Sequence, residues 1–197
     1  MIISCLNLSL TDVSREPEVK RFVNKVAKRE GRIDVLINNA GYANPPVKIE
    51  KESLNELQKN LSQNLVSVFL MCKHTLPFFK KQKKGWILNV ASFAGKRAVP
   101  FLSAYSASKF GVVALSQSIA KENLKEGFNC ISVCPGGMNT EMRVKLFGKE
   151  DAARQQSADF VADKIMEIVD GTLPVPSGGD VVIRHGRVAT VNPLLEA

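Results

Sequence analysis

The sequence predicts an α/β protein built around a parallel sheet. Short apolar runs alternate with longer segments in which apolar residues recur every three or four positions, the pattern of strands alternating with helices. Polar and small residues directly follow several of the apolar runs, and ligands bind at the carboxyl ends of strands in open parallel sheets. With 197 residues, the chain is long enough for one domain, residues 1–197, with a buried core.

The first half of the chain contains two predicted strands and two predicted helices. Residues 2–8 are the first strand, and a turn at Asp12 leads into a helix that Gly31 ends. Residues 33–37 are the second strand, followed by Asn38-Asn39-Ala40-Gly41. The asparagines favour a turn, and we expect a structural role for them first.

A broad amphipathic pattern from Glu50 to Phe79 predicts a long helix that packs in the core or against another subunit. Asn64 interrupts its apolar stripe. If buried, this side chain needs hydrogen-bond partners; otherwise it is a solvated helix position. The sequence leaves both interpretations open.

The second half continues the alternation. Residues 86–91 form a strand that ends at Ser92, and residues 129–133 form another that ends at Pro135-Gly136-Gly137-Met138-Asn139-Thr140. Two glycines in that loop allow the backbone to approach a ligand closely. Residues 141–157 are polar and give no clear element. The remaining predicted elements are a helix from residue 103 to 126, a helix over 159–169 and a final strand over 181–183.

Tyr105 and Lys109 form the most informative pair in the sequence. They lie four residues apart at the start of a helical pattern, so both side chains project from one face. An ammonium group beside a phenol stabilises the phenolate and lowers the tyrosine pKa, which makes the pair a plausible proton-transfer device. By itself the spacing is common, and a packed tyrosine with a solvated lysine is the ordinary alternative.

Composition excludes several classes of protein. The net charge is +8, but the one dense basic run, residues 80–84, ends a predicted helix and is better explained by the helix dipole than by nucleic acid. The four cysteines, Cys5, Cys72, Cys130 and Cys134, show no zinc-binding spacing, so we expect no metal, buried free thiols and a reducing, cytoplasmic location. No apolar stretch is long enough to span a membrane.

Ser92 does not stand in the sequence context of a hydrolase nucleophile. The residues around it lack the Gly-x-Ser-x-Gly pattern, and His74 and His185 have no evident pairing with it. Ser92 is better interpreted as a hydrogen-bond donor to a substrate carbonyl.

Taken together, these motifs resemble the short-chain dehydrogenase/reductase family. The resemblance rests on Tyr105-x-x-x-Lys109 with Ser92 upstream, on Asn38-Asn39-Ala40-Gly41 and on the Pro135 loop, and it runs from about Leu8 to Arg184. It implies a Rossmann-like, doubly wound, three-layer fold. It also implies that Tyr105 donates a proton, Ser92 polarises the carbonyl, Lys109 assists the tyrosine and binds a ribose, and Asn64 maintains a proton relay.

The resemblance further implies an NAD or NADP cofactor. Asp12 and Val13 would lie near the adenine, Asn38, Ala40 and Gly41 beside the adenosine half, and Tyr105 and Lys109 at the nicotinamide ribose. The nicotinamide itself would meet Pro135, Gly136, Met138 and Thr140.

One part of the family pattern is missing from the sequence. The thirteen glycines include no Gly-x-x-x-Gly-x-Gly and no Gly-x-Gly-x-x-Gly, the motif that binds the pyrophosphate. We therefore expect a fold that is incomplete at the N-terminus, with a gap in the sheet, marginal stability and weak dinucleotide binding.

Two functions follow from the sequence. The first is an NAD(P)-dependent oxidoreductase that interconverts a carbonyl and a secondary alcohol, with the 3-oxoacyl reductases as the nearest guess. The second is a catalytically silent isoform that associates with a full-length homologue. We expect the enzyme to form a homo-oligomer, a dimer or tetramer, and to act on a small-molecule carbonyl or alcohol substrate. The silent isoform would instead associate with its full-length homologue. In neither case do we expect a nucleic-acid or membrane partner.

Overall fold

The computed structural model describes residues 8–194 and has a sheet flanked by helices on both faces. The strand predicted over residues 2–8, and Cys5 with it, lies almost entirely outside the described residues. The first helix, α1 (Glu16–Glu30), ends where predicted, because Gly31 adopts a left-handed conformation with φ 74°.

The main sheet has five strands in the order β1-β2-β3-β6-β7. Strands β1, β2, β3 and β6 run parallel to one another, whereas β7 runs antiparallel to β6. The hairpin that adds β7 was not predicted. The strands are β1 (Val35–Asn38), β2 (Gly85–Val90), β3 (Phe128–Pro135), β6 (Asp180–Arg184) and β7 (Arg187–Asn192).

Among residues 8–194, β1 pairs only with β2 and is therefore an edge strand. Ile37 on β1 is 42% exposed, an unusual state for a central apolar position of a parallel sheet. The strand over residues 2–8 that would bound the expected gap lies almost entirely outside the described residues, so the gap and the marginal stability both stay predictions.

The long helix predicted from Glu50 to Phe79 is not one continuous α-helix. It consists of α2 (Leu54–Asn60), a π-helical turn (Leu61–Val66) and α3 (Ser67–Gln82). The helix ends at Gln82, and Lys83 takes the left-handed position after it with φ 55°. Gly85, at the start of β2, is required because a Cβ there would lie 2.4 Å from the Phe79 ring.

Two apolar clusters lie on opposite faces of the sheet and produce three layers. On one face, α1, α3 and α4 (Ser103–Glu122) cover strand residues such as Ile87 and Cys130. On the other face, α7 (Ala158–Asp170) covers their neighbours Leu88 and Ile131. Alternate strand residues point to opposite faces, so both faces are buried, as the continuous apolar runs predicted.

Residues 141–157, where no clear element was predicted, form a small structured region over the carboxyl ends of the strands. The region contains α5 (Glu141–Phe147), α6 (Lys149–Ala153) and β5 (Gln156–Ser157), which pairs with β4 (Met138–Asn139) in a two-stranded sheet. The Thr140 hydroxyl caps α5 by accepting from the Arg143 amide. In the described part of the chain, no helix has the length and apolar character needed to cross a membrane.

Candidate active site

A cavity of about 320 Å³ lies where β2 and β3 end, and Ser92, Tyr105, Met138 and Thr140 all line it. Its volume is at the lower end of the range typical of small-molecule sites. Parallel strands bring their carboxyl ends to one edge, which is why residues far apart in sequence meet here.

Ser92 is held at the end of β2 by a short 3₁₀ turn. Its hydroxyl oxygen accepts a hydrogen bond from the Ala94 amide at 3.0 Å. The turn packs closely on α4, since a Cβ on Gly95 would lie 2.6 Å from the Lys109 carbonyl oxygen. This close approach fixes Ser92 relative to the helix that carries Tyr105.

Tyr105 is half-buried, and burial raises the pKa of its phenol above the ordinary 10.0. A hydrogen bond with Ser92 acts in the opposite direction. The Lys109 Nζ lies 5.8 Å from the centre of the tyrosine ring. Desolvation is the larger of the two effects, so the net shift of the Tyr105 pKa is upward. That Lys109 lowers the Tyr105 pKa stays a prediction.

Lys109 is 4% exposed, which excludes the ordinary alternative of a solvated lysine. Its ammonium donates to the Val90 carbonyl oxygen at 2.9 Å. Burial lowers the pKa of this ammonium from 10.5 to about 8, with Cys134 acting in the opposite direction. An ammonium has three donors, so two remain for other partners in the site.

Asn64 is fully buried, so the solvated helix position that the sequence left open is wrong. Its amide oxygen accepts from the Tyr42 backbone N–H at 2.7 Å. Its amide nitrogen donates to the Tyr42 carbonyl oxygen and to the Ser108 hydroxyl, each at 2.8 Å. Asn64 lies in the π-helical turn, a feature often found at functional sites. It ties the loop after β1 to α4.

Asn38 has mainly a structural role, as expected. It is buried and donates to the Asn89 side-chain oxygen at 2.8 Å, which links β1 to β2 inside the core. Asn39 is exposed. Together with Val13 and Ala40, both asparagines line a second, smaller cavity of about 80 Å³ at the end of β1.

Asp12 lies at the start of α1 and is already engaged by its own loop. One carboxylate oxygen accepts from the Ser14 amide at 3.0 Å and from the Ser14 hydroxyl at 2.6 Å. These bonds lower the pKa of the Asp12 carboxyl. The structure thus places Asp12 two residues from Ser14 in an Asx turn, beside the Val13 that lines the smaller cavity.

Glycines bring the backbone close to several site residues. Gly41 allows the loop after β1 to pack closely on the Asn64 amide and Lys109, because a Cβ there would lie 3.2 Å from Asn64 Oδ1 and 3.5 Å from Lys109 Nζ. Gly136 and Gly137 expose backbone at the cavity wall, and Pro135 is buried at the end of β3. The residues fit the nicotinamide half of the cofactor, whereas no glycine-rich turn in the sequence fits the pyrophosphate.

The sequence missed a second group of cavity residues. They come from α5, from the segment after α6 and from the β6–β7 hairpin, and their long separation from Ser92 gives no local signal. His185, which the sequence did not pair with Ser92, lines the same cavity. These residues are Met142, Arg143, Leu146, Phe147, Arg154, Gln155, Gln156, Arg184 and His185.

The burial of Lys109 predicts a specific pH dependence of stability. Between pH 8 and 10.5 the unfolded lysine is protonated while the folded one has lost its proton, so the contribution of Lys109 to the free energy of unfolding should rise with pH there, by about 3 kcal/mol in total. Burial raises the pKa values of the Cys72, Cys130 and Cys134 thiols, which act in the opposite direction at high pH, so the rise is measured as the difference between the parent and Lys109→Met. Below pH 8 both forms are protonated and this contribution is constant.

We expect the Lys109→Met variant to lack that rise. Urea unfolding at pH 7, 8, 9 and 10 measures the free energy of unfolding of the parent and the variant. Lys121→Met, on the exposed side of the same helix, is the matched control. Parallel curves for Lys109→Met and the parent protein would contradict the prediction.

Comparison with known proteins gives consistent results. A family model described as short chain dehydrogenase matches residues 6–151. The chain is 31% identical over 155 residues to an uncharacterised oxidoreductase, YxjF, of Bacillus subtilis, covering 79% of this chain and 60% of that protein. It is 28% identical over 176 residues to an NADPH-dependent pterin aldehyde reductase of Arabidopsis thaliana, covering 89% and 72%.

Solved structures show the same fold. The crystal structure of a levodione reductase superposes with a TM-score of 0.82 at 28% identity, covering 90% of this chain and 75% of that one. The chain spans only part of the length of its relatives, for example 51% of a 3-ketodihydrosphingosine reductase of Bacteroides thetaiotaomicron.

Proposed function

This chain belongs to the short-chain dehydrogenase/reductase family, and from that premise we propose an NAD(P)-dependent oxidoreductase activity. The proposed reaction interconverts a carbonyl and a secondary alcohol. The observation that carries the proposal is the single cavity lined by both Ser92 and Tyr105, with the Lys109 ammonium buried 5.8 Å from the tyrosine ring. Relatives named as oxidoreductases and an NADPH-dependent reductase support it.

In the proposed reaction, a substrate carbonyl oxygen lies between the Ser92 and Tyr105 hydroxyls. Tyr105 donates its proton to that oxygen as charge develops there, and Ser92 stabilises the charge by a hydrogen bond. The pKa of the Tyr105 phenol lies above the ordinary 10.0, so the phenol is protonated at neutral pH, the form required to donate. The nicotinamide, when bound, supplies the hydride.

Lys109 and Asn64 act on the position and charge of these groups. The buried ammonium favours the phenolate that Tyr105 becomes after proton transfer, and its two remaining donors are available to a ribose hydroxyl. Asn64 holds the loop of Gly41 and Tyr42 against α4 through three hydrogen bonds. We propose that Pro135, Gly136, Met138 and Thr140 surround the nicotinamide, and that Val13, Asn38, Ala40 and Gly41 lie at the adenosine side with Asp12.

The reading as a catalytically silent isoform gains no support from the comparisons, because the named relatives are oxidoreductases or dehydrogenases. We retain the proposal of a homo-oligomer, a dimer or tetramer. Exposed apolar residues on the outer faces of the π turn, α3 and α4, namely Val66 (40%), Phe69 (46%) and Phe110 (43%), support it.

The test is titration of the purified chain with NADPH and NADH, followed by nicotinamide fluorescence. Saturable binding, with oxidation of the cofactor when a ketone is added, supports the proposal. A folded sample that binds neither cofactor up to millimolar concentration contradicts it. Light scattering on the same sample gives the oligomeric state, and a monomer would contradict the oligomer.

A further inference from the structure

The large cavity has a strongly cationic lining. Arg143, Arg154, Arg184 and His185 line it, and none of the cavity residues in the described ranges is an aspartate or glutamate. The proposed reaction uses none of these four. Apolar side chains make up much of the rest of the wall, including Leu102, Leu146 and Phe147.

The three arginines differ in how their charges are compensated. The Arg143 Nε donates to Asp151 at 2.5 Å, and its guanidinium stacks on Phe147 at 4.1 Å. Arg184 and Arg154, in contrast, have no carboxylate within salt-bridge distance anywhere between residues 8 and 194. Arg154 is still close enough to Asp151 to help lower the pKa of that carboxyl. The cavity therefore contains two guanidinium groups without a direct ion pair, and Arg184 has the less compensated charge.

Arg184 contacts both loops that carry residues of the proposed chemistry. Its guanidinium lies 3.9 Å from the centre of the Phe93 ring, and Phe93 directly follows Ser92. Arg184 also packs on the loop after β3, since a Cβ on Gly136 would lie 2.9 Å from Arg184 Cγ and 3.4 Å from Nε. The side chain is thus clamped between the loops that carry Ser92 and Met138.

This placement has an electrostatic consequence. Stacking on Phe93 and packing on Gly136 hold the guanidinium in one place and remove part of its hydration, while no carboxylate compensates its charge. A fixed, partly desolvated guanidinium binds carboxylate or phosphate in bidentate geometry more readily than a mobile surface lysine does.

We propose that Arg184, with Arg154 as the second cation of the cavity, binds an anionic group on the substrate. The group is a carboxylate or a phosphate, and the carbon chain between it and the reacting carbonyl packs on Leu102, Leu146 and Phe147. The substrate class is therefore a short ketone that carries an acid group. The identification of the anion as part of a substrate rests on the proposed oxidoreductase function.

The first test measures binding without turnover. Hexanoate, hexyl phosphate and hexanamide are titrated into the parent chain by calorimetry, with the neutral amide as the reference. We expect at least one anion to bind roughly tenfold to a hundredfold more tightly than the amide, and Arg184→Gln to lose that preference. The stronger of the two anions identifies the acid group as carboxylate or phosphate.

Two further variants make the result specific. Arg187→Gln removes the same charge from the paired position of the hairpin, outside the cavity lining, and should bind the anion as the parent does. Arg184→Lys keeps the charge without the bidentate geometry and should bind the anion with intermediate affinity. If Arg184→Gln does not fold, the affinity of Arg184→Lys tests the proposal in its place. Equal binding of hexanoate, hexyl phosphate and hexanamide to the parent, or parent-like anion binding by Arg184→Gln, overturns the proposal.

The second test separates this proposal from the proposed function. The kcat/KM for 5-oxohexanoate is compared with that for 5-oxohexanamide in the parent and in Arg184→Gln. A preference for the acid that disappears in the variant supports both proposals. Anion binding that depends on Arg184 without reduction of either ketone contradicts only the oxidoreductase, whereas equal reduction of both ketones without anion binding contradicts only the anion site.

Discussion

Tyr105→Phe is expected to lower kcat for carbonyl reduction by roughly 10²- to 10⁴-fold, the contribution typical of a positioned general acid. The substitution removes only the hydroxyl oxygen. Because the ring still fills its half-buried position on α4, the unfolding curve should remain near that of the parent. Steady-state oxidation of NADPH or NADH with a ketone that the parent reduces gives the change in kcat.

The chain contains one other tyrosine, which supplies a matched control. The Tyr42 hydroxyl donates to a Glu56 carboxylate oxygen at 2.7 Å and does not line the large cavity. Tyr42→Phe loses a hydrogen bond of about 1 kcal/mol and should leave kcat close to the parent value. If both variants lost activity equally, or if Tyr105→Phe kept the parent rate, Tyr105 would not be the proton donor.

Asn89→Ala is expected to give the largest loss of stability, about 2–4 kcal/mol. Asn89 is fully buried in β2, where its amide oxygen accepts from Asn38 and its amide nitrogen donates to the Ser116 hydroxyl, each at 2.8 Å. Truncation leaves the buried Asn38 amide with only a 3.5 Å contact to the Cys72 sulfur and opens a small cavity. Both effects destabilise the folded state.

Urea unfolding at neutral pH measures this loss. Asn55→Ala, at an exposed position of α2, is the control and should change the free energy of unfolding by no more than about 0.5 kcal/mol. Similar values for the two variants would show that the Asn38–Asn89–Ser116 network does not stabilise the sheet.

This network also shows why the sequence alone could not assign Asn38 fully. Its position directly after an apolar run indicated the end of a strand, and the turn chemistry of asparagine favoured a structural role. The partner, Asn89, lies 51 residues away on the next strand. No local pattern connects the two, because their pairing depends on the parallel register of β1 and β2.

In the long helix, the apolar periodicity correctly predicted helical structure but did not predict its π-helical turn. The apolar spacing from residue 54 to 79 is helical, as predicted, but the chain departs from α-helix at Leu61–Val66. Asn64 in that turn satisfies both the N–H and the C=O of Tyr42. The π turn therefore coincides with a tertiary contact that periodicity does not encode.

The sequence by itself determined the alternation of strands and helices, the family resemblance and the Ser92, Tyr105 and Lys109 set, because these are properties of neighbouring residues and of strand ends. The tertiary structure alone decided that burial raises the Tyr105 pKa, and that Arg184 meets Phe93 and Gly136 at the same cavity. Desolvation and charge compensation depend on which distant side chains surround a group. In this protein the parallel sheet sets that arrangement by bringing the ends of β2, β3 and β6 together.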